Sequence, residues 1–268
     1  MKIQYASDLH LEFGVNTSML REHTMEPVGD ILVLAGDIGY LGDDGLMKHP
    51  FWDWASENFK EVIAIPGNHE LYRGFDINEL TEDWELRIRS NVRYVYNKLI
   101  RLDETTDLIA STLWAKIPPE NGLLTQRNVS DFHCIRDGEK PLGWERFNEE
   151  HEKCRDFIER KVRESNAAKI VVATHHVPSF ALIADEFKGS PINGAFTSEL
   201  GNMIADSRID YWIYGHSHRN ISKQIGNTMC VCNQLGYVRA LEHLYFRKDA
   251  AISFRYPSLQ FANCKYLE

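Results

Sequence analysis

Histidine, aspartate and asparagine gather at one kind of place in this sequence. Residues 214–219 read Tyr-Gly-His-Ser-His-Arg and follow 209–213, a short apolar run with the β-branched and aromatic residues of a buried strand. Gly215 lets the backbone turn, leaving the imidazoles of His216 and His218 on a loop at the strand's C-terminal end. Residues 2–6 run in the same way into Ser7-Asp8-Leu9-His10, where side chains two apart can project together. The apolar run 30–35 ends in Gly36-Asp37, 61–65 in Pro66-Gly67-Asn68-His69-Glu70, and 169–173 in Thr174-His175-His176. Taken singly, each is an ordinary pair of surface histidines, a turn or a helix cap. Five such ends share no ordinary reading, because ligands of open α/β sheets collect outside the carboxyl ends of the strands. The residue types are those that ligate metals and carry protons.

The elements that must hold these ends alternate. Residues 50–60 set Phe51, Trp52, Trp54, Ala55 and Phe59 on a helical stripe between two strand runs, an order that implies a right-handed βαβ unit and a parallel sheet. Leu80, Trp84 and Ile88 at four-residue spacing predict a helix over 76–90, and short strands follow at 92–96, 99–102 and 108–113. Residues 116–143 and 179–196 read as two long loops, a length usual for functional segments. Between them lies an amphipathic helix over 144–164, with Phe147, Cys154, Phe157, Ile158 and Val162 inward. Thr197 is the expected N-cap of a helix to 206, with Leu200 and Ile204 inward. Residues 221–225 and 228–232 form a hairpin across Gly226-Asn227, and further strands are expected near 241–246 and 251–256. Neither a repeat nor a linker interrupts the chain, so one domain spanning 1–268 is expected.

The 268 residues are 43% hydrophobic and 26% charged, an ordinary globular balance. A net charge of -9 disfavours sequence-independent nucleic-acid binding, which relies on Lys and Arg against phosphates. It leaves room for a small phosphorylated substrate if a metal supplies local positive charge. Five cysteines cannot all pair within one chain, and Cys230 and Cys232 fit packing on one strand face better than a zinc site. The first residues alternate as a strand rather than forming a signal peptide, and no apolar run spans a membrane, so a cytoplasmic protein is expected.

As a set, Asp8-x-His10, Gly36-Asp37, Gly67-Asn68-His69-Glu70, His175 and Gly215-His216-Ser217-His218 resemble the motifs of the calcineurin-like metallophosphoesterases, in that family's order. The resemblance implies an α/β fold, a four-layer αββα sandwich of two mixed sheets with a metal site at the C-terminal strand ends. It implies two divalent transition-metal ions, one held by Asp8, His10 and His218, the other by Asn68, His175 and His216, with Asp37 bridging. The family's ligand is the first residue after the strand, which favours His175 over His176. Mixed nitrogen and oxygen donors suit Mn, Fe, Zn or Co better than Ca or Mg. Paired ions lower the pKa of a shared water, and the resulting hydroxide attacks phosphorus. His69 is then the residue that stabilises charge or protonates the leaving oxygen, while Ser7 and Glu70 orient ligands or serve as turn residues.

The bridging Asp37 is followed by Ile38-Gly39-Tyr40-Leu41, where the family's phosphoprotein phosphatases carry Val-Asp-Arg-Gly. That departure points away from protein substrates and towards the bacterial phosphodiesterase-like branch, acting on a small phosphodiester or phosphomonoester such as a nucleotide. The alternatives are a nuclease acting on nucleic-acid ends and a non-catalytic scaffold, the latter disfavoured because the whole ligand set is present. The two long loops are expected to wall the pocket, with Arg127, Phe132 and Arg136 the candidate substrate-binding residues.

Overall fold

The computed structural model describes residues 1–23 and 25–254. Along the chain, β1 (Lys2–Ala6) leads to α1 (Gly14–Glu22), β2 (Ile31–Leu34), α2 (Asp44–Met47), α3 (Phe51–Asn58) and β3 (Glu61–Ala64). Next come β4 (Trp84–Arg89), β5 (Val92–Tyr96), β6 (Lys98–Arg101) and β7 (Thr106–Ser111). The middle segment forms α4 (Gly122–Asn128), α5 (Asp131–Cys134) and a small ribbon, β8 (Arg136–Asp137) with β9 (Lys140–Pro141). Then follow α6 (Trp144–Glu164), β10 (Lys169–Thr174), α7 (Gly201–Asp206), β11 (Tyr211–Tyr214), β12 (Lys223–Ile225), β13 (Thr228–Cys232) and β14 (Ala251–Ser253).

Two six-stranded sheets result, ordered β14-β1-β2-β3-β5-β4 and β12-β13-β11-β10-β7-β6. In each, four inner strands are parallel and both edge strands antiparallel. The inner strands are apolar on both faces, and alternation decides which layer each residue joins. Ile31 and Val33 of β2 face the other sheet, meeting Val171, Ala173 and Ile213 across the interior. Leu32 and Leu34 point outward onto Leu20, Trp52 and Ala55 of α1 and α3. On the opposite side Ile170, Val172 and Trp212 pack on Phe157 and Ile158 of α6 and Ile204 of α7. The layers run helix, sheet, sheet, helix.

Three expectations are corrected. Residues 76–90 are not a helix: Asp76 caps a single turn at Ile77–Glu79, and 84–89 is β4, antiparallel to β5. A four-residue repeat satisfies period 2 as well as 3.6, and Trp84, Leu86 and Ile88 use the former to pack on one face while Glu85, Arg87 and Arg89 alternate with them. The helix after Thr197 begins only at Gly201, because Thr197 continues an extended bridge to Val177 and the Glu199 carboxylate accepts from the Gly201 N–H at 2.8 Å. Residues 242–245 form a 3₁₀ turn entered through Leu241 at φ 62° rather than a strand. The last expected strand keeps residues 251–253, while positions 255 and 256 lie outside the described residues, as does Cys264.

Candidate metal centre

β1, β2, β3, β10 and β11 all end at the same edge of the sandwich, and the backbone beyond them is bent hard. Asp8, His10, Asp37, His216 and His218 have φ of 54°, 48°, 55°, 73° and 49°, a region that residues with a Cβ rarely adopt. The turns brace one another: Asp8 N–H donates to Gly36 O at 2.9 Å, His10 N–H to Asp37 O at 3.0 Å and Gly215 N–H to His175 O at 2.9 Å. Gly36 (φ 89°) is forced, since a Cβ there would lie 2.3 Å from His175 Nδ1. At Gly67 a Cβ would meet Asp37 Oδ1 at 2.2 Å.

The bends aim polar atoms at one spot. Asp8, His10 and His218 offer atoms within 4.8 Å of one another, and so do Asp37, His175 and His216. His10 Nε2 and His218 Nε2 are 3.1 Å apart, with Asp8 Oδ1 3.2 Å from His218 Nε2. In the other group His175 Nε2 lies 3.0 Å from Asn68 Oδ1, 3.1 Å from His216 Nδ1 and 3.4 Å from Asp37 Oδ1. His175 Nδ1–H is committed to Ala35 O at 2.9 Å, so a neutral ring turns the lone pair of Nε2 inward. Asn68 Nδ2 donates to Asp131 Oδ1 at 2.8 Å, which turns the amide oxygen inward too. Lone pairs therefore face lone pairs, an arrangement a cation relieves, and the mixed N/O set fits a transition metal. It is His175 whose Nε2 turns into this group; His176 packs behind it, its ring 4.3 Å from that of His216 and tilted 37° at 5.3 Å from Trp114, with Nδ1 3.4 Å from Thr112 O.

Titration behaviour fits the same picture. Burial pushes Asp37 well above the usual carboxylate range, with the neighbouring Glu70 and Asp8 charges adding to it. Burial opposes ionisation of Asp8, but the facing His218 outweighs it and holds the carboxyl low. Burial depresses His10 to about 4. Burial acts on His218 too, but Asp8 and Glu242 outweigh it and raise the ring to about 10. A proton held between Asp8 and His218 is what a metal ion would displace.

Supporting residues include several that sequence reasoning had not found. Glu12 Oε1 takes both His10 Nδ1 (3.1 Å) and His69 Nδ1 (2.9 Å). Its place two residues after His10 continues the alternation of Asp8 and His10, a signal available in the sequence. Glu242 receives His218 Nδ1 at 2.8 Å from the 3₁₀ turn, and Asp131 holds Asn68; nothing local in sequence marks either. The Ser7 hydroxyl donates to Asp8 Oδ2 at 2.5 Å. Glu70, wholly buried, accepts the N–H groups of Asp37 (2.9 Å), Ile38 (2.7 Å) and Gly67 (2.7 Å), binding two ligand turns to one carboxylate. His69 stacks on Tyr72 at 4.5 Å and directs Nε2 towards the Tyr237 hydroxyl, 3.3 Å away, and Asp37 Oδ2, 4.0 Å away. Burial lowers its basicity, but Asp37 and Glu12 outweigh that and raise its pKa.

A cavity of about 470 Å³ opens from the centre between the two long segments. Of the candidate substrate-binding residues, Arg127, Phe132 and Arg136 are all absent from its wall. Phe132 is 2% exposed and packs 5.6 Å from Phe147, because α5 turns that face into the core. Arg127 and Arg136 are exposed to solvent. The segment reaches the cavity instead through Asn128, Val129, Ser130 and Asp131, and the second through Ile183, Phe187 and Phe196.

A double-sheet α/β sandwich gathers nitrogen and oxygen donors at its strand exits, a site fit for divalent metal. The chain belongs to the calcineurin-like phosphoesterase family, whose model matches residues 1–220. It is 28% identical over 261 residues to an uncharacterised protein of Acanthamoeba polyphaga mimivirus, covering 88% of this chain and 91% of that one. Its fold is similar to that of phosphopantetheinyl hydrolase from Mycobacterium tuberculosis, with a TM-score of 0.66 and 14% identity over 100% of this chain and 98% of the other. A dimetal phosphatase from Danio rerio is also similar, at TM-score 0.55 and 11% identity over 87% of each chain. No helix among the described residues is long and apolar enough to cross a membrane.

Proposed function

We propose that the chain hydrolyses a small phosphodiester or phosphomonoester at a dinuclear centre. Asp8, His10 and His218 hold one ion and Asn68, His175 and His216 the other. The observation that carries this reading is the orientation of Asp37: Oδ1 faces His175 Nε2 at 3.4 Å, while Oδ2 faces His10 Nε2 at 3.9 Å. One carboxylate thus lies between the two groups, within reach of both, where it would be shared by two ions. Divalent ions held there supply Lewis acidity and a water that ionises near neutral pH, with Mn, Fe or Zn suited to the donors.

The chain's own residues do the rest. Glu12 fixes the His69 ring through Nδ1, so Nε2 faces the centre. With the Glu12 carboxylate facing Nδ1 to balance the charge of the ring, Nε2 would carry the proton donated to the leaving oxygen. Tyr72 and Tyr237 flank the ring and keep bulk water from it. The net charge of -9 supports a small substrate over nucleic acid, and free cysteines among the described residues support a reducing, cytoplasmic setting.

The test is hydrolysis of bis-p-nitrophenyl phosphate against p-nitrophenyl phosphate by protein loaded with Mn²⁺, alongside metal counting. Two ions per chain with turnover of either ester is expected. One ion at full activity would sink the dinuclear reading, and metal without turnover would point to the scaffold.

A further inference from the structure

The cavity beside the centre has a lopsided chemistry. Near the strand exits its wall is polar, formed by Asp37, Asn68, His69, His216 and His218. Away from them it is mainly apolar, formed by Val129, Ile183, Ala184, Phe187, Ile192 and Phe196. The uncharged Asn128, Ser130, Ser190 and Asn193 lie among them. Phe196 lies flat against His216, ring centres 5.0 Å apart at 23°, so the apolar wall starts directly at the donors.

Among the described residues Arg219 is the only Lys or Arg that lines the cavity, and its guanidinium already has partners. Arg219 Nε pairs with Glu186 Oε1 at 2.6 Å, Nη1 approaches Glu242 Oε1 at 3.7 Å, and the guanidinium sits 5.4 Å from the Phe187 ring centre. A second phosphate, or a carboxylate, entering the cavity would meet apolar walls and the acids Asp131 and Glu242 without a free counter-charge. An ionised group moved into such surroundings unpaired loses more than it gains. A volume of about 470 Å³ lies within the range of small-molecule sites and exceeds what a bare phosphoryl group fills.

We infer that the substrate carries one phosphoryl group esterified to an uncharged, predominantly apolar alcohol, whose body lies against Ile183, Phe187 and Phe196. The inference rests on the proposed hydrolase centre for the position of the phosphoryl group. It excludes polyphosphates and nucleic-acid strands, whose further charges the cavity cannot match. It also gives the segment 179–196 the role of selecting substrate.

Phosphonates test this without turnover, because their C–P bond is not hydrolysed and each carries a single organic group. Titration calorimetry on the Mn²⁺-loaded protein would compare methylphosphonate, benzylphosphonate and 3-phosphonopropionate. Burial of a benzyl group against the wall should tighten binding roughly 10- to 100-fold over methyl, while the carboxylate-bearing ligand binds no tighter than methyl. Ile183→Lys should cut the benzyl-to-methyl ratio at least about tenfold and give 3-phosphonopropionate the advantage. Equal affinities, tighter binding of 3-phosphonopropionate to the unaltered protein, no binding of any phosphonate, or a ratio indifferent to Ile183→Lys would each overturn the inference. Hydrolysis of p-nitrophenyl phosphate, measured in parallel, reports separately on the centre.

Discussion

Replacing Glu70 by Gln changes one atom and removes a charge, and the consequences can be worked from its contacts. Oε1 accepts from Ile38 N–H at 2.7 Å, Gly39 N–H at 3.4 Å and the Tyr94 hydroxyl at 3.1 Å; Oε2 accepts from Asp37 N–H at 2.9 Å and Gly67 N–H at 2.7 Å. An amide nitrogen in either place opposes two backbone donors with a third donor. With Glu70 at 0% exposure, water does not reach to repair the loss. Two hydrogen bonds to a charged acceptor, each worth about 1.5–3 kcal/mol, give a destabilisation on the order of 3–6 kcal/mol. For a chain this size that lowers Tm by on the order of 10 °C. The freed N–H groups belong to the turns carrying Asp37 and Asn68, so metal affinity should fall about 10- to 100-fold as ligand support is lost. Tyr94→Phe, which deletes one donor and leaves the carboxylate, should cost only about 1 kcal/mol and little affinity. Urea denaturation and competition with a chelating dye measure the two effects. A Gln variant within about 1 kcal/mol of the parent, with unchanged metal affinity, would refute the argument.

His69→Ala should keep its metal but lower kcat by roughly 10²–10⁴, and less for esters whose alcohol is acidic enough to leave without a proton; equal losses across leaving groups would remove the acid role. His175→Ala should deplete metal, whereas His176→Ala should leave metal content intact and show its effect in the denaturation midpoint. The reverse, read by elemental analysis, would shift the ligand by one residue. Buried Glu150 accepts from the Tyr96 hydroxyl and Lys153 Nζ, both at 2.8 Å, and pairs with Arg146. Burial opposes its charge, but these partners outweigh burial and depress its pKa below 4.5. The stabilisation is therefore complete above pH 4.5 and lost as pH falls through the lowered value. Glu150→Gln should cost about 1–3 kcal/mol at pH 7 and progressively less in acid, and a pH-independent difference would contradict this.

The fold was legible where a strand is buried on both faces, since 31–34, 61–64 and 169–174 are apolar throughout and can be little else. It was illegible where two periods coincide, as at Trp84 and Ile88, or where tertiary contact decides, as at Thr197. The seven candidate donors stood out because each lies within four residues of a strand's end, so position along the chain stands in for position in space. Asp131, Glu242 and Tyr237 were not, because they reach the centre from a short helix and turns whose path depends on the packed sandwich. Phe132 misled for a related reason: an aromatic residue in a long loop looks available until the loop folds into a helix with an inner face.

The left-handed backbone at Asp8, His10, Asp37, His216 and His218 bears on how this sequence can change. A side chain in that region costs about 1–2 kcal/mol per residue, so five together approach the whole net stability of a typical domain. Glycine at any of them would relieve the bend, and selection for folded yield alone would drift that way. Each such step trades a donor atom for robustness. A thermostabilised variant obtained by screening on folding should therefore be checked first at these positions, where gains in melting temperature and loss of chemistry come from the same substitution.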